Sequence, residues 1–174
     1  MLQGLAQLPN GLSIRPARPA DKPLLKKLID DKYSALKQTT DLGRDQIENL
    51  MEIQVTAQNS AYGGMFPNAA YFVVEKTGQA IGKLTLDWDG ERAHVVDLGF
   101  IAKAQGKGYG QTIIEALLGA CGQAKCPLSL ACATQDAALL RFLVAHGFVA
   151  RGPVDPQASH VQLLWTPDAT AMQS

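Results

Sequence analysis

A short basic, glycine-rich turn, Ala102 to Gly110, is the part of the chain best suited to chemistry. It follows an apolar run, Ala93 to Ile101, that reads as a strand, and it precedes QTIIEALLGACGQA, an amphipathic helix. A glycine loop between a strand and a helix N-terminus is a device for holding an anion. The first turn of a helix has backbone N–H groups with no intrahelical partner, and the macrodipole puts partial positive charge there. Gly106, Gly108 and Gly110 remove Cβ atoms, so the backbone can approach a phosphate and take unusual φ/ψ. Backbone N–H groups from Gln105 to Gly110 would do most of the binding. Lys107 would add charge, and Gln111 and Thr112 would supply further first-turn N–H groups. Two better-known phosphate loops fail. The dinucleotide pattern G-x-G-x-x-G is met by Gly106 and Gly108 but broken by Gln111, and no Gly-Lys-Ser or Gly-Lys-Thr occurs. What remains is Gln-x-x-Gly-x-Gly, at Gln105, Gly108 and Gly110.

The elements that must position this loop can be read in order. Residues 1–11 read as a loose arm, and Leu12 to Pro16 as a first strand. Asp21 can cap a helix whose first turn tolerates Pro23, with Leu24, Leu25, Leu28, Ile29 and Tyr33 at helical spacing. A second helix is expected from about Asp45 to Asn59, then a loop from Ser60 to Asn68. Beyond it the period becomes two. Tyr71 to Lys76 and Ala80 to Trp88 are strands joined by a tight turn at Thr77-Gly78-Gln79, and Ala93 to Ile101 is the third of this antiparallel set. Pro127 to Ala133 can pair parallel to that third strand through a right-handed crossover. Asp136 to His146 is a helix with Gly147 at its end, and Phe148 to Gly152 and His160 to Trp165 are last strands. Residues 12–166 form one domain and 167–174 fray. This order defines an α/β (α+β) domain.

Composition narrows the class. The 174 residues suit one domain with a sizeable core, and 47% hydrophobic against 18% charged content is that of a globular chain. Sixteen basic and sixteen acidic residues cancel, which gives no support for nucleic-acid or anionic-membrane partners. The N-terminal MLQGLAQLPNGL lacks the charged and apolar regions of a signal peptide, and no apolar run approaches the roughly 20 residues of a membrane span. Cys121, Cys126 and Cys132 are odd in number and lack metal-site spacing. Free thiols, a cytoplasmic location and no metal site are therefore expected.

With its strand before and helix after, the Gln-x-x-Gly-x-Gly loop resembles the acyl-CoA pyrophosphate loop of the GNAT N-acyltransferase superfamily. Asp136 to Phe148, ending in Gly147-Phe148, is similar to the superfamily's second signature helix, and the opening Ile14 to Asp21 is similar to family N-termini. The resemblance covers residues 12–166. It implies a mixed, mostly antiparallel central sheet of about six or seven strands, a β-α-β CoA-binding core and helices on both faces. It implies acetyl-CoA or another acyl-CoA as donor and an amine, on a small molecule or a protein, as acceptor. It leaves homodimer formation open. It also implies that the strand ending at Phe100 and Ile101 splays from its parallel neighbour near Ala131-Cys132-Ala133, and that its exposed backbone pairs with pantetheine.

Three positions depart from the pattern. Leu143 stands where the family often has a tyrosine that protonates the leaving thiolate. Asp136 replaces the usual asparagine, and Ala102 stands where proline is common. The expected reaction is direct attack of an amine on the thioester, through a tetrahedral intermediate stabilised by backbone N–H groups near Phe100 and Ile101. The alternative is a non-catalytic acyl-CoA-binding module that kept the loop and lost the acid.

Transfer to an ammonium substrate needs a base. Asp97 is the first candidate, since it interrupts an apolar strand beside the thioester site and burial there would raise its pKa. Glu75, Asp87 and His94 are weaker candidates. Strict strand alternation places Asp97 on the face opposite His94. Cys132 reads as a small core residue rather than a nucleophile, because no histidine is placed beside it. Tyr33, Tyr62, Tyr71 and Tyr109 are candidate replacement acids, with Tyr109 expected to pack under the loop.

Overall fold

The structure is a computed structural model that describes residues 5–39, 43, 45–46, 69–152 and 157–167. Among these residues seven strands and three helices follow one another. They are β1 (Leu12–Pro16), α1 (Lys22–Thr39), β2 (Ala69–Lys76), β3 (Gln79–Trp88), β4 (Ala93–Phe100), α2 (Tyr109–Ala124), β5 (Leu128–Ala133), α3 (Ala137–Ala145), β6 (Val149–Ala150) and β7 (His160–Trp165). The strands form one sheet in the order β1-β2-β3-β4-β5-β7-β6. Every pairing is antiparallel except β4 with β5. The expected α/β layer architecture is thus present, with helices on both faces. Of the expected second helix only Asp45 and Gln46 are described, and they are helical; the rest lies outside the described residues.

Alternation divides the sheet. One face carries Ile14, Phe72, Val74, Leu84, Leu86, Val95, Leu128 and Leu130, all buried. Ile113, Ile114, Leu117 and Cys121 of α2 belong to the same core, at the helical spacing that makes one apolar stripe. Fully burying one such aliphatic side chain contributes about 1.5–3 kcal/mol. α3 lies beside α2, where His146 Nε2 comes within 3.4 Å of Glu115 Oε1.

The other face carries Arg15, which pairs with Asp21 at 2.7 Å and Glu75 at 2.6 Å. Asp21 also accepts from the Arg18 N–H at 2.7 Å, and so fixes the chain entering α1. Leu24 and Leu28 then carry α1 into the core.

The β2–β3 turn is a two-residue reversal with Thr77 and Gly78 both at positive φ, as a tight hairpin requires. The stretch expected as a loose arm is partly packed: Leu5 is buried, the Leu8 N–H donates to Leu12 O, and the Thr77 N–H donates to Gly11 O.

The β3–β4 register corrects one expectation. Thr85 faces Asp97 while Leu86 faces Val95, so Val96 is an extra residue in β4. A bulge of this kind reverses the alternation beyond it. Residues directly opposite in an antiparallel pair share a face. Asp97 therefore shares a face with Thr85, and hence with Asp87 and its partner His94. The expected separation of Asp97 from His94 does not occur.

Candidate active site

The parallel pairing of β4 with β5 is short. It covers Ala93 with Leu128, His94 with Ser129 and Val95 with Leu130, after which the two strands continue without pairing to each other. β5 stays bound to β7 through Ala133, so the gap opens on the β4 side of β5. The Ile101 N–H donates to Ile81 O at 2.9 Å, which directs the backbone groups of Ile101, Gly99 and Asp97 towards β3. Leu98 and Phe100 consequently turn their N–H and C=O groups into the gap. Ile101, expected among the cofactor-facing backbone, has its N–H committed elsewhere. That also removes it from the expected oxyanion site. On that edge the Leu98 backbone faces the gap instead, and its position two residues before Phe100 is the signal in the sequence. Within the gap the Phe100 carbonyl accepts from Gln105 Nε2 at 3.0 Å.

One turn of 3-10 helix, Ala102–Ala104, links β4 to the glycine loop. Gly106 and Gly108 have φ of 73° and 79°, and a Cβ added at either would meet nothing within 4 Å. The space above this backbone is open. Gly108 is the N-cap of α2 and no side chain caps it. The Thr112 N–H and hydroxyl both donate to Gly108 O at 3.1 Å. Thr112, expected to offer its N–H to a ligand, is therefore engaged. The preceding N–H groups of Tyr109, Gly110 and Gln111 are the orphan donors of the helix start. Lys107 is exposed beside them. Open space, uncapped donors, a helix dipole and a lysine suit a pyrophosphate.

The loop rests on Phe100. Gly82 lies opposite Phe100 in β3, and a Cβ there would come within 2.7 Å of the ring and 2.6 Å of Gly99 O, so only glycine fits. The Phe100 ring lies 6.4 Å from that of Tyr109, whose face carries Lys76 Nζ at 5.6 Å from its centroid. Tyr109 is thus a half-buried support for the loop, in line with the packing expected of it.

A polar strip crosses the sheet beside the gap. Lys83 Nζ lies 2.7 Å from Asp97 Oδ2, with the two side chains 31% and 34% exposed. Asp97 is consequently neither deeply buried nor unpaired, unlike the desolvated carboxylate expected there. His94 Nδ1 lies 2.7 Å from Ser129 Oγ across the last paired rows of β4 and β5. Burial pushes the His94 pKa below its ordinary value, against the opposing pull of Asp87, so the imidazole is neutral near pH 7. Asp87 Oδ1 is buried and has no hydrogen-bond partner among the described residues. Glu75, bound to Arg15, is the candidate base most firmly engaged elsewhere.

Cys132 is buried, its thiol directed at Ala133 O at 3.5 Å, and burial raises its pKa. That is the environment of a structural thiol. Leu143 is 0% exposed and belongs to the core. Tyr71 is exposed. Tyr62 and the Tyr33 side chain lie outside the described residues. No described helix is long and apolar enough to cross a membrane.

These features agree with comparisons to known proteins. A model of the acetyltransferase (GNAT) family matches residues 36–148, more than half of the chain. The chain belongs to the GNAT family and is by class an acyl-CoA-dependent N-acyltransferase. A comparison with curated proteins finds no match. Solved structures of similar fold include RimL, a ribosomal alpha-N-protein acetyltransferase in complex with coenzyme A, at 14% identity and TM-score 0.63, covering 94% of this chain and 98% of that one. Spermidine N-acetyltransferase from Vibrio cholerae, in complex with CoA and spermine, matches at 16% identity and TM-score 0.62, covering 92% and 98%. The PaiA N-acetyltransferase from Thermoplasma acidophilum, in complex with coenzyme A, matches at 15% identity and TM-score 0.58, covering 89% and 98%.

Proposed function

We propose that this chain transfers an acetyl group from acetyl-CoA to a primary amine by direct attack, in a ternary complex within the cytoplasm. The observation that carries the reading is the gap between β4 and β5 ending at an uncapped helix start. The pyrophosphate lies on the N–H groups of Tyr109, Gly110 and Gln111, and pantetheine runs along the Leu98 and Phe100 backbone. The thioester carbonyl then reaches the apex of the gap, beside the Val96 bulge. An unpaired N–H on that edge stabilises the oxyanion.

Asp97 takes the proton from the ammonium substrate, directly or through water. His94 is the second candidate, because it is neutral and shares the face. Leu143 offers no proton, so the thiolate leaves unprotonated or is protonated by water. The acceptor is a small-molecule or protein amine. The three buried free cysteines fit a reducing compartment.

The experiment is CoA release from acetyl-CoA over a panel of amines, including a polyamine and a peptide N-terminus. Turnover on one of them, saturating in both substrates, is the expected result. Asp97→Asn should then lower turnover by about 10²–10⁴-fold, the usual contribution of a general base, with acetyl-CoA affinity nearly unchanged. Equal turnover across pH removes Asp97 from the role and moves it to His94. The buried Leu143 favours one further reading, a non-catalytic acyl-CoA-binding module. Tight acetyl-CoA binding without CoA release on any amine would support that module.

A further inference from the structure

One contact outside the proposed chemistry joins parts of the chain 71 positions apart. Asp31 Oδ2, on α1, accepts a hydrogen bond from the Ala102 N–H at 2.7 Å. Ala102 opens the single 3-10 turn between β4 and the glycine loop. Its neighbours in that turn are held internally: the Ala104 N–H donates to Ile101 O and the Gln105 N–H to Ala102 O. The Ala102 N–H is an orphan donor at the start of the turn, and a carboxylate on another element takes it up.

The Asp31 carboxylate is itself held on both sides. Its second oxygen receives Lys27 Nζ at 2.9 Å, and the Asp31 side chain is 11% exposed. The Ala102 bond is the largest cause of an Asp31 pKa below the ordinary carboxylate value, with Lys27 second. A charge-assisted bond of this length is stronger than a neutral one, although the Ala102 end of it is open to solvent.

We infer that Asp31 is a positioning residue for the coenzyme loop, fixing from α1 the joint on which Gly106 to Gly110 turn. The inference rests on the reading that this loop holds the pyrophosphate of acyl-CoA. It depends on residue 102 not being proline. Proline would lock φ by its ring and would have no N–H for Asp31 to receive. With alanine the joint is set by a bond from another element, so the loop follows α1. α1 leads into the segment 40–68, which separates it from β2. The tie makes the coenzyme loop and α1 move as one piece.

The test is acetyl-CoA titration calorimetry on the intact chain, with hydrogen exchange of the peptide spanning residues 101–110. Asp31→Ala is expected to weaken acetyl-CoA binding about tenfold and to speed exchange at Ala102, as loss of a charged hydrogen bond at the joint predicts. Lys27→Ala removes the ion pair but leaves the Ala102 bond, and affinity should stay within about twofold of wild type, as for exposed pairs generally. Ala102→Pro removes the donor but presets φ near −65°, so affinity should stay within about threefold. In that background Asp31→Ala should add nothing, since the bond it removes is already gone.

Unchanged binding and exchange in Asp31→Ala would overturn the inference. So would an equal loss in the Ala102→Pro background, which would mark a general destabilisation of α1. If Asp31→Ala does not fold, Asp31→Asn keeps an acceptor without the charge and should weaken binding about threefold. A wild-type chain that fails to bind acetyl-CoA would overturn the reading of the loop; the exchange rate at Ala102 would still decide whether the tie exists.

Discussion

The starts of α1, α2 and α3 are built in two ways. α1 and α3 each have a carboxylate at their start, Asp21 at the end of the 3-10 turn Pro19–Asp21 that leads into α1 and Asp136 as the N-cap of α3. Asp21 accepts from the Arg18 N–H at 2.7 Å, and Asp136 accepts from the Leu139 N–H at 3.1 Å. α2 begins at Gly108, with φ of 79° and no capping side chain. α2 and α3 each follow a strand of the parallel pair and lie side by side. The difference teaches where the chain leaves donors for something else. A carboxylate at a helix start satisfies the orphan N–H groups and uses the dipole, whereas a bare glycine start leaves both for an anion.

Making α2 start as α3 does should give the largest effect. Gly108→Asp places a negative side chain on a backbone at positive φ, next to the donors assigned to the pyrophosphate. Acetyl-CoA affinity should fall by at least about 100-fold, the scale of losing two or more charge-assisted bonds. The space there is open, so the fold should survive, with unchanged far-ultraviolet circular dichroism. Affinity within a few-fold of wild type would mean that the open start is not the pyrophosphate site. Gly108→Glu should act alike, since charge rather than cap geometry does the excluding.

The open start was legible in the sequence because its cause is local. Three glycines at alternate positions, a strand before and an amphipathic helix after are all read within 32 residues, from Ala93 to Ala124. The closed start at Asp136 was legible for the same reason, as an aspartate followed by an apolar helix and Gly147. The bulge at Val96 was not. Val95-Val96-Asp97 reads as plain strand, and the extra residue exists only relative to β3. That one residue moved Asp97 onto the face of His94, and the base could not be assigned without it. The pairing of Asp97 with Lys83 escaped for the same reason, since it joins two strands whose register the sequence does not print. Thr112 and Ile101 were misread at a finer level. Sequence placed them in the right turn and strand, but which N–H is spent internally depends on hydrogen bonds to Gly108 and Ile81. The acceptor side was legible only as an expected helix and loop, most of which lie outside the described residues.

The closed starts should differ from the open one in what their loss does. Asp21 also pairs with Arg15, and that bond, followed by the Arg18 N–H, holds its pKa down at about 2. A carboxylate with a lowered folded-state pKa contributes stability that is fully present above its unfolded value, near 3.8, and is lost as pH falls through about 2. Asp21→Asn should destabilise the chain near pH 7 by about 1.5–3 kcal/mol, the scale of hydrogen bonds to charged groups. The gap between variant and wild type should close between about pH 4 and pH 2, followed by urea unfolding at each pH. A gap that stays constant over that window would mean that the charge of Asp21 contributes nothing, and that its role at the start of α1 is shape alone.

Asp136→Ala is the smallest change and the sharpest control. It removes one N-cap bond, from a side chain on the exposed side of α3, so the cost should be about 1 kcal/mol. For a chain of this length that is about 2–4 °C in Tm. Acetyl-CoA affinity should hardly move, because the bond it removes serves the helix alone. The contrast with Gly108→Asp then becomes quantitative: one helix start carries stability without ligand binding, and its neighbour ligand binding with little stability. Should Asp136→Ala instead weaken acetyl-CoA binding tenfold or more at the same Tm, the carboxylate at the α3 start would be facing the coenzyme as well as Leu139. The division between closed structural starts and one open functional start would then fail at α3, on the far side of the gap from β4.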